Sequence, residues 1–351
     1  MANLTETAYY TRRAINWSIL AVLLYIILRL FWGVLVFIWF LLFPLQPPPP
    51  NHAFGVLPAI KFPSTATPSA EYKFKLETIE GSVPKASNSA VVFFLPKQAP
   101  NLLALTKTQE FAKKLVLNPK PIQESKNQYR FDDEHEFLRT LHYDIVTSNF
   151  NLNYIYKYDT GLFSENEFPT QDKAKSESIN MLDNYDLYKD DIENGIINIS
   201  YLKLVGDELV ETNSVEQANA IRVDFKRDSI INIPIYTPNP DRGPIYFIYS
   251  GSKNVKKRLL EFNYTYWPID LNTTATYKLK TSQQAWQELQ SGLGYIAKYP
   301  SQGTQITVRE VFIGYYDSFK PQTYLQPIFV FEGDDGFVAY VPAVDSEWVE
   351  K

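Results

Sequence analysis

Hydrophobic and polar positions follow three regimes along the 351-residue chain. The first is a continuous apolar run from Trp17 to Phe43, WSILAVLLYIILRLFWGVLVFIWFLLF, with a single charge in it, Arg29. As an α-helix this run extends about 40 Å, more than the ~30 Å hydrocarbon core of a bilayer, and it predicts one tilted transmembrane helix over 17–43. A central arginine opposes insertion by about 2.5–3.5 kcal/mol, whereas each Leu, Ile, Val or Phe favours it by about 0.3–0.6, and those residues dominate the run. The second regime is proline. Eight prolines from Pro44 to Pro68 favour a stiff, extended backbone, so 44–68 reads as a stalk. Its later part, Phe54 to Phe62, is too apolar for a free linker and is predicted to lie as a strap along a folded domain.

The third regime is a succession of short alternating runs and two longer helical periods. It predicts an α+β fold: a single N-terminal transmembrane helix, the proline-rich stalk, then two antiparallel-sheet-plus-helix units. In the first unit, 69–158, strands are predicted at Tyr72–Ile79, Ala90–Leu95, Tyr129–Phe131, Thr140–Thr147 and Phe150–Tyr158. A helix from about Lys107 to Leu117 opens on a Thr106/Gln109 capping box and stops at Asn118-Pro119. A helical connector, 159–198, carries Ala174, Ser178, Met181, Leu182 and Tyr185 on one stripe. The second unit, 199–351, has strands at Ile199–Val205, Ala220–Lys226, Pro244–Tyr249 and Leu259–Trp267. Thr276–Lys280 follows, then a helix capped by Thr281 and Gln284 with Ala285, Trp286, Leu289, Leu293 and Ile296 inward, then strands at Ile306–Tyr316, Leu325–Phe331 and Phe337–Val344. Trp286 is expected to bury against the strand of Phe312 and Tyr316 or its neighbours.

Charge sets the orientation of the helix. Arg12 and Arg13 precede the span, and no Lys or Arg follows Phe43 until Lys61. The positive-inside rule therefore predicts a cytoplasmic tail of residues 1–16 and an extracytoplasmic C-terminal domain, a cell-membrane protein with an uncleaved signal anchor. The chain carries a net charge of −5, and its first fifty residues hold three Arg and one Glu, +2, which leaves −7 for the remainder. That balance argues against a nucleic-acid partner. With no cysteine, disulfides and lipidation through cysteine are excluded, and some 300 residues are enough to bury a core without them. Within the span Ala21, Tyr25, Arg29 and Gly33 recur every four residues and share one face. Small and polar residues on one stripe are suited to contact with a partner helix, so a membrane-protein partner is expected there.

The chemical motifs are weak. His135-Glu136 begins like a zinc-protease helix motif, but Arg139 stands where the second histidine belongs. Ser250 and Lys253 fit the S-x-x-K spelling of penicillin-binding enzymes, yet Lys280-Thr-Ser282 lacks the glycine of the partner motif. Asp334-Asp335 and the group Asp183, Asp186, Asp190 and Asp191 lack the spacing of a calcium loop and read as solvated hairpin and helix ends. There is no phosphate loop or dinucleotide fingerprint, so no cofactor, metal or catalytic residue is assigned. Phe150, Tyr154, Tyr156 and Tyr158 alternate in a way that suits sheet packing or a stacking platform for envelope glycans.

The C-terminal run AWQELQSGLGYIAKY, ITVREVFIGYYDS and YLQPIFVFEGDDGFVAYVPAV, within residues 276–345, resembles the PepSY-type module of Yyc-type regulators. The matching positions are Ala285 and Leu289 on the helix, Val311, Gly314, Tyr315 and Tyr316 on one strand, Pro327 and Phe331 on the next, and Tyr340 with Ala343. Those regulators are single-pass accessory proteins of a cell-wall sensor kinase whose transmembrane helix contacts the kinase. The resemblance implies a membrane-anchored, non-enzymatic regulatory or scaffolding role at the cell envelope. Binding of an envelope polymer such as a glycan is the alternative expectation, with a carboxylate-dependent cell-wall hydrolase behind it.

Overall fold

A computed structural model describes residues 4–42, 49–64, 72–97, 101–164, 167–300 and 303–350. It falls into two units, 1–48 and 49–351. The first is helix α1, Leu4–Leu42, which begins at Leu4 rather than at Trp17 and so includes Arg12 and Arg13. No Gly or Pro interrupts the chain until Gly33, and Pro44 two residues past the end forbids continuation. Its segment Arg12–Trp39 is long and apolar enough to cross a membrane, and none of it is buried. Phe43 and the stalk positions 44–48 and 65–68 lie outside the described residues.

The second unit is mixed α+β around two sheets. In chain order its main elements are β1 (Lys73–Leu76), β2 (Ser89–Phe94), α2 (Ala104–Lys114), β3 (Ile122–Gln123), β4 (Gln128–Asp132), β5 (Arg139–Asp144), β6 (Phe150–Tyr154), α3 (Gln171–Asn184) and α4 (Asp190–Glu193). There follow β7 (Ile197–Val205), β8 (Glu208–Thr212), β9 (Ala220–Phe225), β10 (Ile235–Tyr236), β11 (Ile245–Ser250), α5 (Val255–Arg258) and β12 (Leu259–Tyr264). The chain ends with β13 (Asp270–Lys278), α6 (Ser282–Gln290), β14 (Tyr295–Lys298), β15 (Gln305–Tyr316), β16 (Tyr324–Gly333) and β17 (Val338–Pro342). The central sheet runs β3-β4-β5-β6-β12-β11-β9-β7-β8. The terminal sheet runs β1-β15-β16-β17-β14, with β10 also on β15 and β2 bridging β16 and β13.

This topology does not divide at Tyr158. β1 and β2, placed by their position in a first unit of 69–158, belong to the terminal sheet, whereas β3 to β6 join β7, β8, β9, β11 and β12 in the central sheet. The cause is non-local pairing: Phe93 and Val92 of β2 face Thr274 and Ala275 of β13. The terminal sheet is also not wholly antiparallel, because β1 and β10 both pair with β15 in parallel.

Each sheet buries one face by alternation. Across the central sheet Phe131, Leu141, Leu152, Phe262, Phe247, Val223 and Ile199 lie in cross-strand register. Together they form the floor on which Ala112 of α2, Ala174 and Leu182 of α3 and Ile192 of α4 pack. The period of two sends the neighbouring row to the other face. In register, that row reads Arg130, His142, Asn151, Asn263, Tyr246, Asp224 and Asn198. In the terminal sheet α6 buries Ala285, Trp286 and Leu289 against Val308, Phe331 and Val341. Its Thr281/Gln284 capping box forms as the sequence predicts. Trp286 meets Phe331 of β16 at 6.0 Å and Phe74 of β1 at 6.1 Å, both on strands that flank β15; Phe312 and Tyr316 of β15 themselves pack with Tyr236 and Tyr340. Leu293 lies past the end of α6 and is exposed. The Thr106 box is not made, because α2 starts at Ala104 with no side-chain cap.

The apolar strap is part of the core. Leu57 is fully buried and bridges Val349, with Leu57 N–H donating to Trp348 O at 2.8 Å and Glu350 N–H to Leu57 O at 2.8 Å. His52 stacks on Trp348 at 3.7 Å, and Phe62 stacks on Tyr295 at 4.9 Å. Gln326 Nε2 donates to Pro58 O at 2.8 Å. The start and the end of this unit are thereby closed against each other.

Candidate functional site: a groove where the two sheets meet

The polar row of the central sheet opens toward the β15–β16 loop. There a cavity of about 280 Å³ is lined by Gln128, His142, Asn149, Asn151, Asn263 and Thr265 on the sheet side and by Trp267, Phe319 and Pro321 opposite. A second cavity of about 310 Å³ shares Thr147, Trp267 and Pro321 with it and is walled mainly by apolar groups, among them Leu95, Pro96, Val146 and Pro268. The two form one groove with an amide-bearing half and an apolar half.

The amides are held in place. Asn151 Nδ2 donates to Glu261 Oε1 at 2.8 Å and contacts Asn263 Oδ1 at 3.4 Å. Asn263 Nδ2 donates to Pro244 O at 3.0 Å and Thr265 Oγ1 at 3.2 Å. Asn149 Oδ1 accepts the Tyr266 N–H at 2.9 Å. In the amide-bearing half the charged groups on the wall are engaged: Asp144 Oδ1 accepts from the N–H groups of Val146 and Thr147, and His142 Nδ1 lies 2.9 Å from Glu124 Oε2; Lys97 lines the apolar half. Trp267 is fixed by a 2.8 Å bond from Nε1 to Ser318 O, which ties the link between β12 and β13 to the end of β15.

Beneath Trp267 lies a buried ionic latch. Arg227, just past β9, donates from Nε to Asp191 Oδ2 at 2.7 Å, from Nη1 to Trp267 O at 2.9 Å and from Nη1 to Asp317 Oδ2 at 3.4 Å. Tyr266 Oη donates to Asp191 Oδ1 at 3.0 Å, and its ring lies 4.7 Å from the guanidinium. Burial alone would weaken the charge on Arg227, but Asp317 and Asp191 outweigh it and raise its pKa. Burial also raises the Asp317 pKa, more than Arg227 lowers it. That direction suits the geometry, since the contact is long and Asp317 Oδ1 has no partner.

On the other side of the latch a cleft of about 720 Å³ is lined by Phe93, Ile230, Ile231, Ile235, Ile269 and Leu271 together with Asp190, Asp191 and Asp228. Two of its carboxylates are occupied with local work, Asp191 on Arg227 and Asp228 Oδ1 on the Ser229 N–H.

The residues singled out in the sequence are scattered. Ala21, Tyr25, Arg29 and Gly33 lie on α1 and are exposed, as are Arg12 and Arg13. Ser250 is fully buried and donates to Lys257 O at 2.9 Å, while Lys253 lies 3.7 Å from Glu167. His135 and Glu136 contribute backbone N–H groups to Asp133 Oδ1. Asp334 is held by Arg309 through Nε and Nη2 at 2.9 and 2.8 Å. Phe150 and Tyr154 are core residues and Tyr158 lies apart and exposed, so the run 150–158 is no stacking platform. Sequence reasoning missed Trp267, Phe319, the asparagine row, Arg227 and Asp317. Asp191, expected from the sequence at a solvated helix end, is the shorter carboxylate contact of the latch. The one signal available was polar residues in phase with apolar ones in β6 and β12.

No protein-family model matches the chain, and no curated protein matches it. Among solved structures the chain is similar to the crystal structure of an uncharacterized protein from Eubacterium rectale ATCC 33656, at 13% identity and a TM-score of 0.39, over 77% of this chain and 87% of that one.

Proposed function

We propose that the chain is a single-pass membrane protein with residues 1–16 in the cytoplasm and its folded domain outside, acting at the cell envelope as a non-enzymatic regulator or scaffold. The observation that carries this reading is the strap. Residues 49–64, the part of the chain that follows the apolar helix and the first stalk prolines, are pinned along the terminal sheet by Leu57, Phe62 and the bond to Pro58. A free tether would suffice to keep an enzyme at a membrane; a strap shared with the core suits a domain whose state is communicated along its own chain. The flanking charges support the orientation, and the resemblance of 276–345 to the PepSY-type module of Yyc-type regulators supports the regulatory role.

Because the chain has no cysteine, single substitutions report topology directly. In intact cells a membrane-impermeant maleimide is expected to label Leu102→Cys, a fully exposed position, and to spare Thr5→Cys until the membrane is opened. Labelling of position 5 in intact cells, with position 102 protected, would reverse the orientation.

A further inference from the structure

We infer that the groove between the sheets is a binding site for a neutral oligosaccharide bearing N-acetyl groups. A saccharide ring offers hydroxyls at its rim and a C–H face on either side, and an acetamido substituent adds an amide and a methyl. The groove offers the complement of each. Asn149 and Gln128 carry neutral side chains that both donate and accept, and Asn151 and Asn263, whose N–H groups are bonded within the protein, present carbonyl oxygens as acceptors. Trp267 and Phe319 supply flat apolar surface beside them. The apolar half, walled by Leu95, Pro96 and Val146, suits methyl groups.

Three observations favour this class over others. In the amide-bearing half the charged groups, Asp144 and His142, are engaged by neighbouring protein groups, so a neutral ligand meets no bare charge there, and Lys97 stands on the wall of the apolar half. The amides are preorganised by their own bonds to Glu261, Pro244 and Thr265, which lowers the ordering cost of a polar ligand. The cavities, about 280 and 310 Å³, are individually near the lower end of ligand sites but joined. The inference concerns the folded domain alone, so it stands or falls independently of the topology proposed above.

The experiment is calorimetric titration of the full chain in detergent with chitotetraose, using cellotetraose and oligogalacturonate as comparison probes. Binding of chitotetraose is expected, weaker or absent with cellotetraose and absent with the anionic probe. Trp267→Ala is expected to weaken it by about tenfold or more. Trp267 also packs against Phe93 and Tyr315 in the core, so the double variant Phe319→Ala, Gln128→Ala, both at accessible positions, provides a loss of binding without a loss of fold. Leu271→Ala, in the opposite cleft, is expected to bind as the native chain does. No heat with chitotetraose at ~10 mM, equal binding of the anionic probe, or affinity unchanged in the double variant would each overturn the assignment.

Discussion

Arg227 is held by two carboxylates of unequal quality, and the inequality has a measurable consequence. Asp191 sits 2.7 Å away and is partly exposed, whereas Asp317 is 3.4 Å away and almost wholly buried. Removing the cation strands both. Arg227→Met is therefore expected to cost about 3–5 kcal/mol, because an unpaired buried charge is worse than none. Asp317→Asn should behave differently. A carboxyl whose folded pKa is raised binds its proton more tightly in the fold, so its contribution is most favourable below the ordinary carboxylate pKa of about 3.9 and declines as pH rises through the folded value. The stability of Asp317→Asn relative to the native chain should thus improve as pH rises above about 4. Denaturant titrations at several pH values check this, and a difference that is flat or falls with pH would show that Asp317 is fully ionised by Arg227.

At the level of elements, α1 presents Ala21, Tyr25, Arg29 and Gly33 along one face, each exposed. An intramembrane arginine at this place is a candidate to pair with a carboxylate or carbonyl of another helix. Arg29→Leu should improve insertion by about 3 kcal/mol yet abolish capture of a partner helix by a photo-cross-linker placed at Tyr25. Undiminished capture with normal cellular activity would show that the arginine is tolerated rather than used. Elements of this kind were the legible part of the sequence. The apolar run, the strap and the capped helix α6 announce themselves through local pattern, since continuous apolarity, an apolar stretch among prolines and Thr281-x-x-Gln284 are contained within a few turns of chain. The groove and latch were not legible, because Asp191, Arg227 and Asp317 are separated by dozens of residues and only strand pairing brings them together. The same limit explains the misplaced boundary at Tyr158. β2 reads as a buried strand correctly, but nothing in Ser89–Phe94 says that its partner is Asp270–Lys278.

In the whole molecule the two sheets are interleaved rather than placed in series. The folded unit starts in the terminal sheet, passes to the central sheet, visits the terminal sheet at β10, returns for β11 and β12, and ends in the terminal sheet. The links β2–β3, β9–β10 and β12–β13 tie the sheets covalently and supply Leu95, Arg227 and Trp267 to the groove and latch. Strap and C-terminus close the same body, which makes Leu57 a test of cooperativity. It is fully buried and lies between Trp348 and Glu350 through two backbone bonds. Leu57→Ala should cost about 2–5 kcal/mol by cavity formation and lost transfer energy. If the strap is integral, limited proteolysis of the variant should cut residues 49–64 and 345–350 with the same enhancement, since each holds the other. Phe137→Ala, at a position 83% exposed, is the matched control and should shift stability by no more than about 0.5 kcal/mol. Release of the strap with an unchanged melting temperature and a still-protected C-terminus would show that it merely lies on the domain, and would remove the physical basis for communication along the chain.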